Sequence, residues 1–225
     1  MSLNAKRAVG VTVALALIAL AIGLYIALYL TSAPGSASAL QTSAGSDLYL
    51  ATVPAAKGND PHPLWVSYYA VDPGDAHWRT GWRHDTTYIL PAHTLVHVTI
   101  YQFDGDSGLR NNFISQALGT TGGTIKLNGA TIKAINPNNA SHVFAVPQLD
   151  LNVPLQGVAA NAKNQCANAP CSLSNAHNTV TFSFRTPGRG LYRWQCFVPC
   201  AAGYIYGTGG PMQTVGYMDG FLKIV

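Results

Sequence analysis

Two short segments of the chain carry residue types that could hold a soft metal ion. The first is the sequence Ser-His-Val-Phe-Ala-Val-Pro-Gln-Leu, which contains the imidazole of His142. The second starts at a Pro-Gly pair and passes through Leu-Tyr-Arg-Trp-Gln to Cys196 and Cys200. Thiolates and imidazoles suit copper, and a weak thioether can tune the copper potential. These segments therefore direct attention to soft, redox-active metal chemistry.

Together the two segments resemble the copper domain of cytochrome c oxidase subunit II. In that family a loop histidine precedes a Phe-x-Val-Pro-x-Leu strand, and a Pro-Gly turn leads through a Tyr-containing strand into Cys-x-x-x-Cys. The run from Met218 to Val225 resembles the last strand of cupredoxins in general, where a ligand methionine directly precedes a Gly-containing strand. The resemblance covers residues 142–225 well and reaches back weakly to about Leu90.

The resemblance implies an all-β, cupredoxin-like Greek-key β-sandwich that binds copper on a loop between its strands. It carries over His142, Cys196 and Cys200 as copper ligands and Met218 as a thioether ligand. Val198 stands where the family has a Glu that binds through its backbone carbonyl, so the changed side chain still allows that bond. In that family two thiolates four residues apart bridge two coppers in a dinuclear electron-transfer centre.

The loop after Cys200 departs from the family pattern. Tyr204 stands at the position of the family's second histidine, and Gly207 stands at that of the methionine three residues later. A Gly-rich insertion follows, and it carries a second thioether, Met212. A second imidazole would have to come from elsewhere in the domain, where the candidates are His62, His77, His84, His93, His97 and His177.

Three states of this loop are compatible with the sequence. One is a mononuclear or dinuclear copper site built from His142, one or both cysteines, and either Met218 or Met212. The second is a copper-free domain in which Cys196 and Cys200 form a disulfide, because closely spaced cysteines of exported proteins tend to pair. The third is a site for a different metal, or a redox-active dithiol.

Beyond residue 31 the chain carries the signals of short β-strands rather than of helices. It shows no sustained 3.6-residue apolar period, and its short β-branched and aromatic runs are separated by Asp-Gly, Gly-Gly, Asn-Gly and Pro-Gly pairs. Many short strands of this kind indicate an antiparallel sandwich or barrel. The predicted strands are Leu48–Val53, Leu64–Val71, Thr86–Leu90, Thr94–Phe103, Thr124–Leu127, Thr131–Ile135, His142–Val146, Thr179–Arg185, Leu191–Gln195 and Gly220–Val225.

The N-terminal segment predicts a single transmembrane helix. The run from Ala8 to Leu30 carries no charged, proline or amide side chain and is long enough as a helix to cross a hydrocarbon core of about 30 Å. Lys6 and Arg7 precede the run, so the positive-inside rule places the N-terminus in the cytoplasm and the domain outside. The alternative is a cleaved signal peptide ending near residues 37–39, which would also export the domain.

These observations divide the chain into three parts. Residues 1–30 are the cytoplasmic tip and anchor, residues 31–46 are a Ser-, Ala- and Gly-rich flexible linker, and residues 47–225 are the extracytoplasmic domain. Within the domain, the Asn- and Ala-rich stretch from residue 156 to residue 176 lacks a strand pattern. Because an exported domain can hold disulfides, we expect Cys166 and Cys171 in this stretch to be bridged.

Several function classes are disfavoured by the sequence. The net charge is only +4, and no basic run or aromatic–basic pattern marks a nucleic-acid surface. No Gly-x-Ser-x-Gly, His-Glu-x-x-His or phosphate-binding Gly loop indicates a hydrolase. The Asp104-Gly105-Asp106 sequence fits a turn, and the histidines have no nearby paired carboxylates to orient them.

Electron transfer is the function that the resemblance implies. Copper on the outer face of the cell membrane would accept an electron from a donor protein and pass it to a membrane oxidase, as an oxidase subunit II or a free relative of one. Such a protein is an electron carrier or an oxidase subunit rather than a stand-alone enzyme. The alternative is a copper-free interaction or assembly module that keeps the fold for its surface.

Overall fold

A computed structural model describes residues 3–25, 41–43, 45–72, 78, 81–107, 111–199 and 210–225. The chain divides into two compact units, Met1–Ser36 and Ala37–Val225. Of the residues predicted to be functional, Cys200 lies outside these ranges, as do Tyr204, His77 and residues 31–40 of the predicted linker.

The first unit contains helix α1, which spans Leu3–Tyr25. Its sequence is rich in Ala and Leu, which are strong helix formers. The side chains of residues 12–24 are exposed. Among the residues that the structure describes, no helix combines the length and the apolar character needed to cross a membrane. The anchor over residues 1–30 and its orientation stay predictions.

The second unit is a sandwich of two six-stranded sheets, which confirms the predicted β-sandwich. In order across the first sheet lie β1 (Gln41–Ser43), β4 (Thr87–Leu90), β12 (Asp219–Ile224), β11 (Gly190–Gln195), β8 (Ala140–Val146) and β9 (Leu151–Gln156). In order across the second lie β3 (Ser67–Ala70), β2 (Asp47–Val53), β5 (Leu95–Gln102), β10 (Asn178–Arg185), β6 (Ile125–Leu127) and β7 (Ala130–Ile132).

Strand direction differs from the antiparallel expectation at three pairs. Strands β1 and β4, β4 and β12, and β2 and β5 run parallel. The two strands of each parallel pair are connected by a long stretch of chain rather than by a tight turn. Parallel neighbours require a long connection of this kind, because the chain must return to the same end of the sheet. Gln41–Ser43, which the sequence assigned to the linker, is one of these paired strands.

The core between the sheets is centred on Trp194. This side chain is fully buried on β11, and its ring stacks with Phe144 at 5.2 Å and meets Tyr68 edge-on at 4.8 Å between centroids. The indole Nε1 donates a hydrogen bond to the Thr86 carbonyl oxygen at 2.9 Å, so its one polar group is satisfied. The strand that carries Trp194 is therefore fixed at the residues just before Cys196.

Gly220 on β12 lies against the same Thr86 carbonyl. A Cβ atom at residue 220 would overlap that oxygen, which also accepts the Phe221 N–H at 2.8 Å. Only glycine allows this close approach of two backbones. Gly220, two residues after Met218, thus allows β12 to pack against the residue that precedes β4.

The stretch that follows β9 covers a second apolar cluster on the outer face of the second sheet. The predicted bridge between Cys166 and Cys171 is present in this stretch. Ala169 and Cys171 are buried there beside Tyr69 and Trp82. The loop therefore closes part of the hydrophobic core, and the disulfide staples it.

Candidate metal centre

His142 lies on strand β8, with its side chain in the interior of the domain. All seven residues of this strand are buried, and its pairing with β9 shifts register between Ala140 and His142. Such a bulge re-aims the side chains beside it. The His142 side chain is fully buried as a result.

The two ring nitrogens of His142 face different partners. Nδ1 lies 3.9 Å from the sulfur of Cys196, and Nε2 lies 2.9 Å from Oδ2 of Asp104. A carboxylate only accepts hydrogen bonds, so we assign the Nε2 proton to the bond with Asp104. In the neutral ring, the Nδ1 lone pair then points towards the Cys196 sulfur.

The electrostatics of His142 follow from this arrangement. Burial lowers its pKa, but the hydrogen bonds and negative charges of Asp104 and Cys196 outweigh burial and raise the pKa to about 9. The raised pKa favours protonation of Nδ1, the nitrogen that faces the sulfur. A metal ion and this proton compete for the same lone pair.

Cys196 is a buried cysteine that directly follows β11. Its sulfur lies 3.8 Å from the carbonyl oxygen of Val198, which is also fully buried. The structure thus brings together His142, Cys196 and the Val198 carbonyl, three groups that the sequence placed at one site.

Met218 is tied to Cys196 through the backbone. It is fully buried and directly precedes β12, and its carbonyl oxygen accepts the Cys196 N–H at 3.0 Å. The Met218 N–H in turn donates to the Pro211 carbonyl at 3.0 Å. The thiol and thioether residues are therefore held in fixed register at the joined ends of two neighbouring strands.

Met212 lies close to the same strand ends. It ends a short 3-10 turn, is nearly buried, and accepts a hydrogen bond on its carbonyl from Nε2 of Gln195 at 2.5 Å. The structure thus places the second predicted thioether residue beside the residue that precedes Cys196. Cys200 lies outside the described residues.

The donors suit a soft ion better than a hard one. Within the described part of the chain, no three His, Cys, Asp or Glu side chains form a group that could hold a metal ion. One imidazole, one cysteine and a carbonyl meet there instead, and Met218 is buried at the adjoining strand end. Thiolate and thioether ligands suit Cu(I), as well as zinc and Fe–S clusters, and a methionine beside His and Cys is typical of copper. The residues present therefore fit copper.

The histidines considered as a second imidazole have other surroundings. His84 pairs with Asp60 at 2.9 Å, His97 contacts Ser183 at 2.8 Å on an exposed sheet face, and His177 contacts the Asn175 carbonyl at 2.8 Å. His62 stacks on Trp65 with ring centroids 3.8 Å apart, and His93 lies at a turn with φ of 52°.

Asp104 is the residue at the site that sequence reasoning missed. From the sequence, Asp104 was assigned to a turn and no paired carboxylate was assigned to the histidines, whereas in the structure Asp104 accepts a hydrogen bond from buried His142. The two residues are 38 positions apart, and Asp104 follows a strand of the opposite sheet. The only sequence feature that marked Asp104 was its position directly after a predicted strand, and this position does not indicate which histidine it contacts.

Comparison with known proteins gives distant structural matches. No protein-family model matches the chain, and no curated protein matches it. A 1.27 Å structure of rusticyanin from Thiobacillus ferrooxidans aligns at 14% identity over 89% of this chain and 92% of that chain, with a TM-score of 0.31. A 1.9 Å structure of reduced rusticyanin aligns at 14% identity over 86% of this chain and 89% of that chain, also with a TM-score of 0.31. A likeness this distant does not assign the chain to a family.

Proposed function

We propose that this chain is a cupredoxin-type electron-transfer protein that binds copper between the ends of β8, β11 and β12. The observation that carries the proposal is the 3.9 Å separation between Nδ1 of His142 and the sulfur of Cys196, both buried. A bound copper ion would supply a one-electron couple. His142, Cys196 and Met218 would hold it, with the Val198 carbonyl beside them.

Rigid support for the donors favours electron transfer over other roles. Each of the three side-chain donors lies on a paired strand or directly beside one, and the Cys196 N–H is bonded to the Met218 carbonyl. Donors held in this way move little when the charge of a bound ion changes. His142 is also fixed from its far side by Asp104.

The proposal includes one copper ion per chain. The proposal needs only His142, Cys196 and Met218 for a single ion, whereas a dinuclear centre needs a second thiolate from Cys200. Copper stoichiometry separates the two forms.

Membrane attachment and an oxidase partner are part of the proposal. The uncharged run from Ala8 to Leu30, with Lys6 and Arg7 before it, supports an anchor with the domain outside the cell. The resemblance to oxidase subunit II supports delivery of electrons to a membrane oxidase. We expect detergent, but not alkaline carbonate, to release the protein from membranes. Release by carbonate would contradict the anchor.

Copper titration of the full-length protein tests the function. We expect uptake of one copper per chain together with an intense visible band from thiolate-to-copper charge transfer. His142→Ala should weaken or abolish the band because it removes the imidazole donor. His97→Ala, which removes an exposed histidine from a different face, is the matched control and should leave the band unchanged. A wild-type protein that takes up no copper would favour the copper-free module instead.

A further inference from the structure

A partly buried polar cluster includes Tyr217, the residue that precedes Met218. The cluster consists of Asp60, His84 and Tyr217. The Tyr217 hydroxyl donates to Oδ1 of Asp60 at 2.7 Å, and Nδ1 of His84 lies 2.9 Å from Oδ2 of the same carboxylate. Asp60 and Tyr217 are 157 positions apart, so this contact joins two distant parts of the chain.

Tyr217 is held at both its backbone and its ring. Its carbonyl accepts the Tyr68 N–H at 3.0 Å, and its N–H donates to the Thr214 carbonyl at 3.2 Å. Its ring meets Trp65 edge-on at 4.8 Å and His84 edge-on at 4.9 Å between centroids. The residue that precedes Met218 therefore has little freedom to shift.

The Asp60 carboxylate is held in place by other hydrogen bonds besides the one from Tyr217. Its Oδ1 also accepts the His62 N–H at 2.9 Å, so three donors converge on one carboxylate. Burial lowers the pKa of His84, although the nearby Asp60 opposes this effect. A neutral His84 then donates its Nδ1 proton to the carboxylate, while its ring stacks on Tyr69 with centroids 4.5 Å apart.

Packing alone does not explain a carboxylate at the position of Asp60. Removing a charged group from water is costly, and apolar residues of similar volume are often at least as stabilising. What the carboxylate adds is direction, because a hydrogen bond to a charged group fixes the phenol in one orientation. The next residue along the chain is Met218, whose carbonyl meets the N–H of Cys196.

We propose that Asp60, acting through Tyr217, is a positioning residue that sets the placement of Met218 beside Cys196. The inference rests on the proposed copper site. Because a weak thioether ligand tunes the potential of such a site, a shift of Met218 would change that potential.

The test compares reduction potentials of copper-loaded full-length variants. Tyr217→Phe removes the hydroxyl and keeps the ring packing, whereas Met218→Leu removes the thioether and defines the direction of shift. We expect Tyr217→Phe to shift the potential in the same direction as Met218→Leu and by less. The expected change in the ratio of Cu(I) to Cu(II) affinity is about threefold to tenfold, tenfold being about 59 mV for one electron. Asp60→Asn should shift the potential in that direction too.

Tyr192→Phe is the matched control. It also removes a tyrosine hydroxyl hydrogen bond, from Tyr192 to the Gly188 carbonyl at 3.2 Å, and should leave the potential unchanged. If Tyr217→Phe lowers the melting temperature but leaves the potential at the wild-type value, the cluster is only structural and the inference is wrong. If the wild-type protein binds no copper, the proposed function fails together with the inference.

Discussion

Replacing Cys196 with serine is expected to abolish the visible charge-transfer band of the copper-loaded protein. The band requires a thiolate bound to copper, and a serine hydroxyl does not replace it because oxygen is a harder ligand and stays protonated at neutral pH. Serine is close to cysteine in size, so the strand ends should keep their packing. Absorption of the wild type and the variant at equal copper loading, together with melting curves, measures the effect.

The cysteines outside the site supply the control for this substitution. Replacing both Cys166 and Cys171 with serine removes a disulfide that spans a sequence separation of 5. Loss of so short a bridge should cost about 2 kcal/mol of stability and leave the copper band intact. A band that survives Cys196→Ser would contradict the assignment of this sulfur as a ligand.

Cys200 is tested by its own serine variant. If Cys200 supplies the second thiolate of a dinuclear centre, Cys200→Ser should abolish the wild-type colour and lower the copper content. If Cys196 is the only thiolate ligand, Cys200→Ser should keep both the colour and the copper content of the wild type. If instead the two cysteines form a disulfide, a thiol count on the wild-type protein will find neither sulfur reactive until reductant is added.

Removing the Asp104 side chain is expected to weaken copper binding by about 10–100-fold, the usual cost of losing a partner that orients a ligand histidine. Oδ2 of Asp104 accepts a hydrogen bond from Nε2 of His142 at 2.9 Å, which directs Nδ1 towards the Cys196 sulfur. Asp104→Ala removes both the hydrogen bond and the charge. Asp104→Asn keeps a hydrogen-bond acceptor of the same shape, so its loss of affinity should be smaller.

Competition with a chelator of known copper affinity measures these losses. Asp106→Asn is the control, because this exposed acid lies two residues along the same segment. Its affinity should equal that of the wild type. Equal affinities of Asp104→Ala and the wild type would show that the carboxylate does not support the ligand.

The convergence of the predicted donors has a simple topological basis. Strands β8, β11 and β12 are neighbours in one sheet, and Gln195 pairs with Ala145 where β11 meets β8. Because β11 and β12 are antiparallel, the end of β11 lies beside the start of β12. Motifs at strand ends can therefore be recognised from sequence when the strands are adjacent, as with Cys196 and Met218.

Strand β9 shows where sequence patterns fail. Residues Leu151–Gln156 form a strand that the sequence did not predict, because Pro154 interrupts a run that otherwise alternates poorly. Proline is tolerated on edge strands, and β9 is the last strand of its sheet. The pairing of this strand with β8 nevertheless produces the bulge beside His142, so a missed element contributes to the site.

Long-range polar contacts are the other part that sequence could not supply. Asp104 and Asp60 each pair with a histidine far along the chain, at separations that no local motif marks. Likewise, the sequence of Gln41–Ser43 indicates a polar linker, and these residues form a strand only because they pair with β4. Hydrogen-bond partners of this kind depend on the tertiary fold rather than on local propensity.

X-ray absorption at the copper edge of the loaded wild-type protein tests the central claim most directly. We predict a first coordination shell that contains a thiolate sulfur and an imidazole nitrogen, with the short thiolate-sulfur distance lost in Cys196→Ser and the imidazole signal reduced in His142→Ala. A shell of nitrogen and oxygen atoms alone in the wild type would contradict the claim that these two buried residues hold the metal.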